Sequence, residues 1–147
     1  MGEKIEFTTL LCSKKTSALD KEIELLGIDP KDPVAIIPKD LVQNDLQFLQ
    51  GIIHYYLYRE DMHVFNEGLF LSMLITGEKQ FKDIVEKLKK TFETNEHYYL
   101  VIYLGKGEFE KKSLFRVPEN CVPYNIIIDF KNLRNAVKNI RALFELL

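Results

Sequence analysis

The 147-residue sequence predicts an α+β fold: a small, mainly antiparallel sheet of about four strands packed with five or more helices. Three observations carry that expectation. Short β-prone apolar runs recur near positions 5–11, 34–37, 98–104 and 125–129. Between and after them lie segments whose apolar residues return every three or four positions, the period of a helix. No internal repeat, low-complexity tract or linker interrupts the chain, so residues 1–147 read as one domain.

Ile5, Phe7, Thr9 and Leu11 alternate with their neighbours, as a strand with one buried face requires. Thr16 and Ser17 offer a cap for a short helix that sets Leu19, Ile23 and Leu26 on one side and closes at Gly27. Asp29-Pro30 and Asp32-Pro33 mark a turn, and Val34 to Ile37 then form a buried strand ended by Pro38. Asn44 and Gln47 have the spacing of a capping box. The helix behind them carries two apolar stripes, one of Leu46, Leu49, Ile53 and Leu57 and one of Phe48, Ile52 and Tyr55. Two stripes predict a helix covered on two sides, central in the molecule.

Asn66 caps a further helix through Leu69, Phe70, Met73 and Leu74, stopped by Gly77. Phe81, Ile84, Val85, Leu88 and Phe92 make one face of the next. Residues 98–104 form an apolar strand that ends in a hairpin turn at Gly105-Lys106-Gly107. Residues 114–117 read as a short edge strand and 125–129 as a buried strand after Pro123. From about Asn132 a last helix places Leu133, Ala136, Val137, Ile140, Phe144 and Leu147 on one face.

With 46% hydrophobic and 12% aromatic residues the composition is that of a folded globule, which excludes a disordered chain. The formal charge of −2 gives no whole-molecule attraction to nucleic acid or anionic lipid, so any such binding needs a local patch. The N-terminus lacks the features of a secretory signal, and the apolar runs fall short of the roughly 20 residues of a membrane helix. Cys12 and Cys121 have no second ligand at metal spacing and read as two small buried hydrophobes. A cytoplasmic location and no membrane contact are the expectations.

Catalytic signatures are missing from the sequence. His54, His63 and His97 stand in no HExxH arrangement, and Gly105-Lys106-Gly107 lacks the remaining glycine and hydroxyl residue of a phosphate loop. No Gly-x-Ser-x-Gly elbow occurs. The expectation is a protein that is not an enzyme, with no metal, no cofactor and no small-molecule substrate.

Basic residues are arranged with more pattern. At about 100° per residue, Lys131, Arg134, Lys138 and Arg141 share one arc of the last helix, opposite its apolar face. Lys79, Lys82, Lys89 and Lys90 line the outer side of the helix after Gly77, interrupted by Asp83 and Glu86. Such stripes are either solvated surface or phosphate contacts. With Phe81 as a stacking ring, these eight cations are the candidate nucleic-acid-binding residues. Tyrosines cluster at 55, 56 and 58 and at 98, 99 and 103, suited both to cores and to interfaces. Tyr55, Tyr58, Phe70 and Met73 are the candidate partner-binding residues.

Residues Ala35 to Val42, the helix from Asn66 to Leu74-Ile75-Thr76-Gly77, and Glu78-Lys79-Gln80-Phe81 with Ile84 carry a family resemblance. So does Tyr124 to Asp129 leading into the basic last helix. Together they resemble the small accessory, PRPK-binding (TPRKB-like) subunits of the KEOPS complex. The resemblance implies a non-catalytic subunit that binds the complex's kinase-like ATPase. It also implies a place in threonylcarbamoyladenosine modification of tRNA, with capture of the tRNA 3′ CCA end. The alternative is a stand-alone small-molecule-binding or catalytic α+β domain whose site is assembled from residues distant in sequence. A deep apolar pocket with converging polar groups would favour it.

Overall fold

The computed structural model describes residues 6–61, 66–105 and 117–126. In chain order these form β1 (Glu6–Ser13), α1 (Leu19–Leu26), β2 (Val34–Pro38), a 3₁₀ turn (Lys39–Leu41), α2 (Leu46–Tyr58), α3 (Glu67–Thr76), α4 (Phe81–Thr94), β3 (His97–Gly105) and β4 (Cys121–Pro123). The four strands make one sheet in the order β2-β3-β1-β4, with every pairing antiparallel. An α+β chain with a four-stranded antiparallel sheet is therefore what forms. The described residues hold four α-helices, fewer than the five or more expected; the helix read from Asn132 lies outside them.

β3 is apolar from Tyr98 to Leu104 because both of its faces are covered. Tyr98, Leu100 and Ile102 join Leu10, Cys12, Val34 and Ile36 on one side, where Leu19 of α1 and Ile84, Leu88 and Phe92 of α4 complete a core. Tyr99, Val101 and Tyr103 join Ala35 and Ile37 on the other, against Phe48, Ile52 and Tyr55 of α2. Register fixes this division: Ile36 stands opposite Leu100, and Cys12 opposite Tyr98.

α3 serves both cores. Met73 and Leu69 belong to the first, while Phe70, Leu71 and Ile75 belong to the second. A helix that straddles a sheet edge has to be apolar around its circumference, which is why its sequence shows no single stripe.

Of the two stripes on α2, Phe48, Ile52 and Tyr55 are buried; in the other Leu46 is buried, and Leu49, Ile53 and Leu57 are partly so. Among the described residues the helix lies against one sheet face and against α3. Its closest neighbour is met at Gly51, where an added Cβ would come within 2.2 Å of Ile75 Cγ1 and 2.8 Å of Ile75 Cα. We therefore expect Gly51→Ala to destabilise the fold by about 1–3 kcal/mol, despite the better helix propensity of alanine. Urea unfolding of the two proteins measures it, and an alanine variant as stable as wild type would contradict this packing.

Capping follows the sequence closely. The Asn44 Oδ1 accepts from Leu46 N–H at 3.0 Å, and the Gln47 Oε1 accepts from Asn44 N–H at 3.3 Å. The Asn66 Oδ1 accepts from Leu69 N–H at 3.0 Å, and α3 closes at Gly77 with φ of 84°. α1 departs from expectation: Ala18 is its N-cap residue, without a side-chain cap bond, and Thr16 turns its hydroxyl to Glu22 instead.

Two expectations need correction. Cys12 and Cys121 are not free thiols but a disulfide, because antiparallel pairing of β1 with β4 sets them directly opposite, with Cα atoms 4.0 Å apart. The last strand among the described residues is Cys121–Pro123, ahead of the 125–129 segment expected to be one. Pro123 sits in an edge strand, the one place in a sheet where a missing N–H is tolerated, so it does not exclude pairing. Asn125 and Ile126 follow outside the strand, and 127–129 lie beyond the described residues. Val117 is in no strand, and 114–116 also lie outside.

Candidate functional site

α4 presents two surfaces of different character. Ile84, Leu88 and Phe92 point into the core, and Lys79, Phe81, Lys82, Lys89 and Lys90 are all exposed. Phe81 is in phase with the buried face but lies in the first turn of α4, and the residue is 39% exposed. Lys79 and Lys82 flank it in sequence. Lys82 and Lys89, seven residues apart, fall on the same flank of the helix, from which Lys89 reaches α1. Lys90 instead lies on the outer side between Asp83 and Glu86. Lys87 is engaged by Glu78, and Lys89 lies 3.7 Å from the carboxylate of Asp20 on α1. At the far end, Lys14 donates from Nζ to the carbonyls of Phe92 and Glu93 at 3.0 Å, a cation on the negative end of the helix.

Between α1, α3 and α4 lies a half-open cavity of about 220 Å³. Its walls are aliphatic, from Leu19, Ile23, Val34, Leu69, Val85 and Leu88. Asp20, Asp29, Asn66 and Lys89 stand among the lining as polar groups, with the Ser72 hydroxyl deeper and donating to Gly68 carbonyl at 2.8 Å.

Beside this cavity a buried carboxylate holds α1 to the sheet. Glu22 has no solvent exposure, and it accepts from Lys15 N–H, Thr16 N–H, the Thr16 hydroxyl at 2.7 Å and the Tyr98 hydroxyl at 2.9 Å. Burial raises its pKa, but the hydrogen bonds from Thr16, Lys15 and Tyr98 outweigh that and leave it below the ordinary value. The Asn120 side chain donates to the Tyr98 hydroxyl at 3.2 Å and to Ser13 carbonyl, joining the β4 turn to the same knot. This group was not singled out in the sequence, where Glu22 is one of several carboxylates in an acidic helix.

The expected partner surface is corrected in three of its four members. Tyr55, Phe70 and Met73 are buried in the chain's own core. Tyr55 donates its hydroxyl to Glu67 at 2.7 Å and packs edge-on to Tyr103, which accounts for a polar-tipped ring inside. Tyr58 is only partly buried and remains accessible at the end of α2. Lys131, Arg134, Lys138 and Arg141 lie outside the described residues, as does His63. His54 is half-buried beside Tyr58, with its pKa lowered by burial, and His97 is exposed.

Among the described residues no group of three or more His, Cys, Asp or Glu is placed to hold a metal ion, and no helix is long and apolar enough to cross a membrane. Compared with protein-family models, with curated proteins and with solved structures, the chain finds no match in any of the three.

Proposed function

We propose that this chain is a non-catalytic accessory subunit of a KEOPS-type assembly, binding the kinase-like ATPase subunit and tRNA, including its 3′ CCA end. The observation that carries the reading is the exposed Phe81 ring at the start of α4, with Lys79 and Lys82 exposed on either side. A ring left in water beside two cations suits an unpaired base stacked on the ring with its phosphates on the lysines. The sequence likeness across residues 34–88 and 124–129 names the assembly. A cytoplasmic location was expected with the same reading, and the Cys12–Cys121 disulfide counts against it, since the cytosol keeps thiols reduced.

Phe81→Ala is expected to weaken binding of intact tRNA by roughly 5- to 150-fold, the equivalent of about 1–3 kcal/mol for a lost base stack. It should leave tRNA lacking the 3′ end unaffected. Filter binding or anisotropy at fixed salt measures this, and co-elution with the cognate ATPase on size exclusion tests the partner. Equal affinity of wild type and variant for both tRNAs, or elution apart from the ATPase, would count against the reading.

A second reading is supported by the cavity between α1, α3 and α4, which fits the stand-alone small-molecule-binding domain better than an adaptor.

A further inference from the structure

We infer that the cavity between α1, α3 and α4 binds a small aliphatic monoamine, with its alkyl tail inside and its ammonium at the carboxylates of Asp20 and Asp29. The inference gives a ligand class to the second reading and is independent of tRNA and of the ATPase. At about 220 Å³ the cavity is larger than the roughly 150 Å³ hole that takes up benzene when lined by aliphatic side chains. Its aliphatic walls offer a tail dispersion contacts. The Ser72 hydroxyl is committed to Gly68 carbonyl, and the Asn66 Oδ1 to Leu69 N–H.

Head-group choice follows from charge at the rim. Among the lining residues, Asp20 and Asp29 stand against Lys89; Lys89 pairs with Asp20 at 3.7 Å and Asp29 Oδ1 accepts from Lys31 N–H at 2.9 Å, which leaves a formal excess of one negative charge. An alkanoate would bring a third negative charge to this rim, whereas an ammonium balances it. Lys89 illustrates the fit: it belongs to the lining and carries its Nζ 3.7 Å from the Asp20 carboxylate, an alkylammonium on the same acceptor. Its tether keeps it exposed at the mouth, leaving the aliphatic interior to a longer, free chain.

The test is a methyl-NMR titration of the isolated chain with n-alkylammonium ions of four to eight carbons, alongside the matching alcohols and alkanoates. Shifts at Leu69, Val85 and Leu88 methyls are expected with the ammonium series. Affinity should rise roughly three- to fourfold per added methylene until the cavity is filled. Alcohols should bind more weakly and alkanoates weakest. Asp20→Asn, an exposed change that leaves the core alone, should shrink the advantage of ammonium over alcohol. Val85→Phe should fill the space and abolish binding, with circular dichroism reporting that the fold persists. If alkanoates bind as tightly as the amines, the amine assignment is wrong while a ligand cavity stands. If none of the three series shifts those methyls, the inference and the second reading fall together.

Discussion

Reduction of Cys12–Cys121 is expected to lower the stability of the chain by about 2–5 kcal/mol, the range for removing a native disulfide. The bond spans a sequence separation of 109, so it withholds from the unfolded chain nearly every arrangement in which the two ends drift apart. It also fastens a β4 strand of three residues, too short to hold its place by ladder bonds alone. Thermal unfolding with and without a dithiol reductant measures the effect, and Cys12→Ser with Cys121→Ser should reproduce it. Thiol counting on unreduced, denatured protein should return no free cysteine. Two reactive thiols, or equal melting temperatures, would remove the disulfide from the account.

Loss of the Glu22 carboxylate should be nearly as costly. Glu22→Ala strips the acceptor from two backbone N–H groups and two hydroxyls, and the expected destabilisation is roughly 2–4 kcal/mol. Glu22→Gln should recover part of it, since its amide oxygen can still accept from Thr16 and Lys15 while the charge that strengthens those bonds is gone. The acid limb has a definite sign. The folded pKa lies below the unfolded value, so protons favour the unfolded chain. The contribution is complete above the ordinary glutamate range near 4.5 and is lost as pH falls through the lowered folded pKa. Denaturant midpoints from pH 7 downwards should fall less steeply for Glu22→Gln than for wild type. Parallel pH profiles would show that the carboxylate is not what couples stability to acid.

The sheet and its helices were legible where a local rule decides. Asn66 with Gly77 brackets α3, and the unbroken apolar run of β3 declares a strand covered on both faces. What escaped was decided by distant partners. Glu22 looks like any surface carboxylate until Tyr98, 76 residues away, points a hydroxyl at it. Cys12 and Cys121 looked unrelated because only the β1–β4 register makes them neighbours. Phe70 and Met73 looked like interface residues because α3, at a sheet edge, needs more apolar surface than one face supplies. Phe81 was legible as a ring near lysines, but its exposure in the first turn of α4 is set by the fold. The cavity, made by three helices and β2, left no trace in any one segment.

The seat of α3 also bears on how the protein stays apart from copies of itself. β2 is an edge strand of consecutive aliphatic residues, Val34, Ala35, Ile36 and Ile37, the kind of sequence that templates cross-β stacking. Pro33 carbonyl accepts from Tyr103 N–H on β3, so by alternation Val34 carbonyl faces the open edge. There Gly68 lies so close that a Cβ would stand 2.4 Å from Val34 oxygen, and Glu67 N–H is held by Pro30 carbonyl. α3 is thus a lid over a sticky ribbon, and loosening it alone uncovers that ribbon while the rest of the sheet is still intact. Gly68→Ala, which cannot keep that close approach, is therefore expected to raise self-association under conditions where the sheet is still folded, read by light scattering alongside circular dichroism.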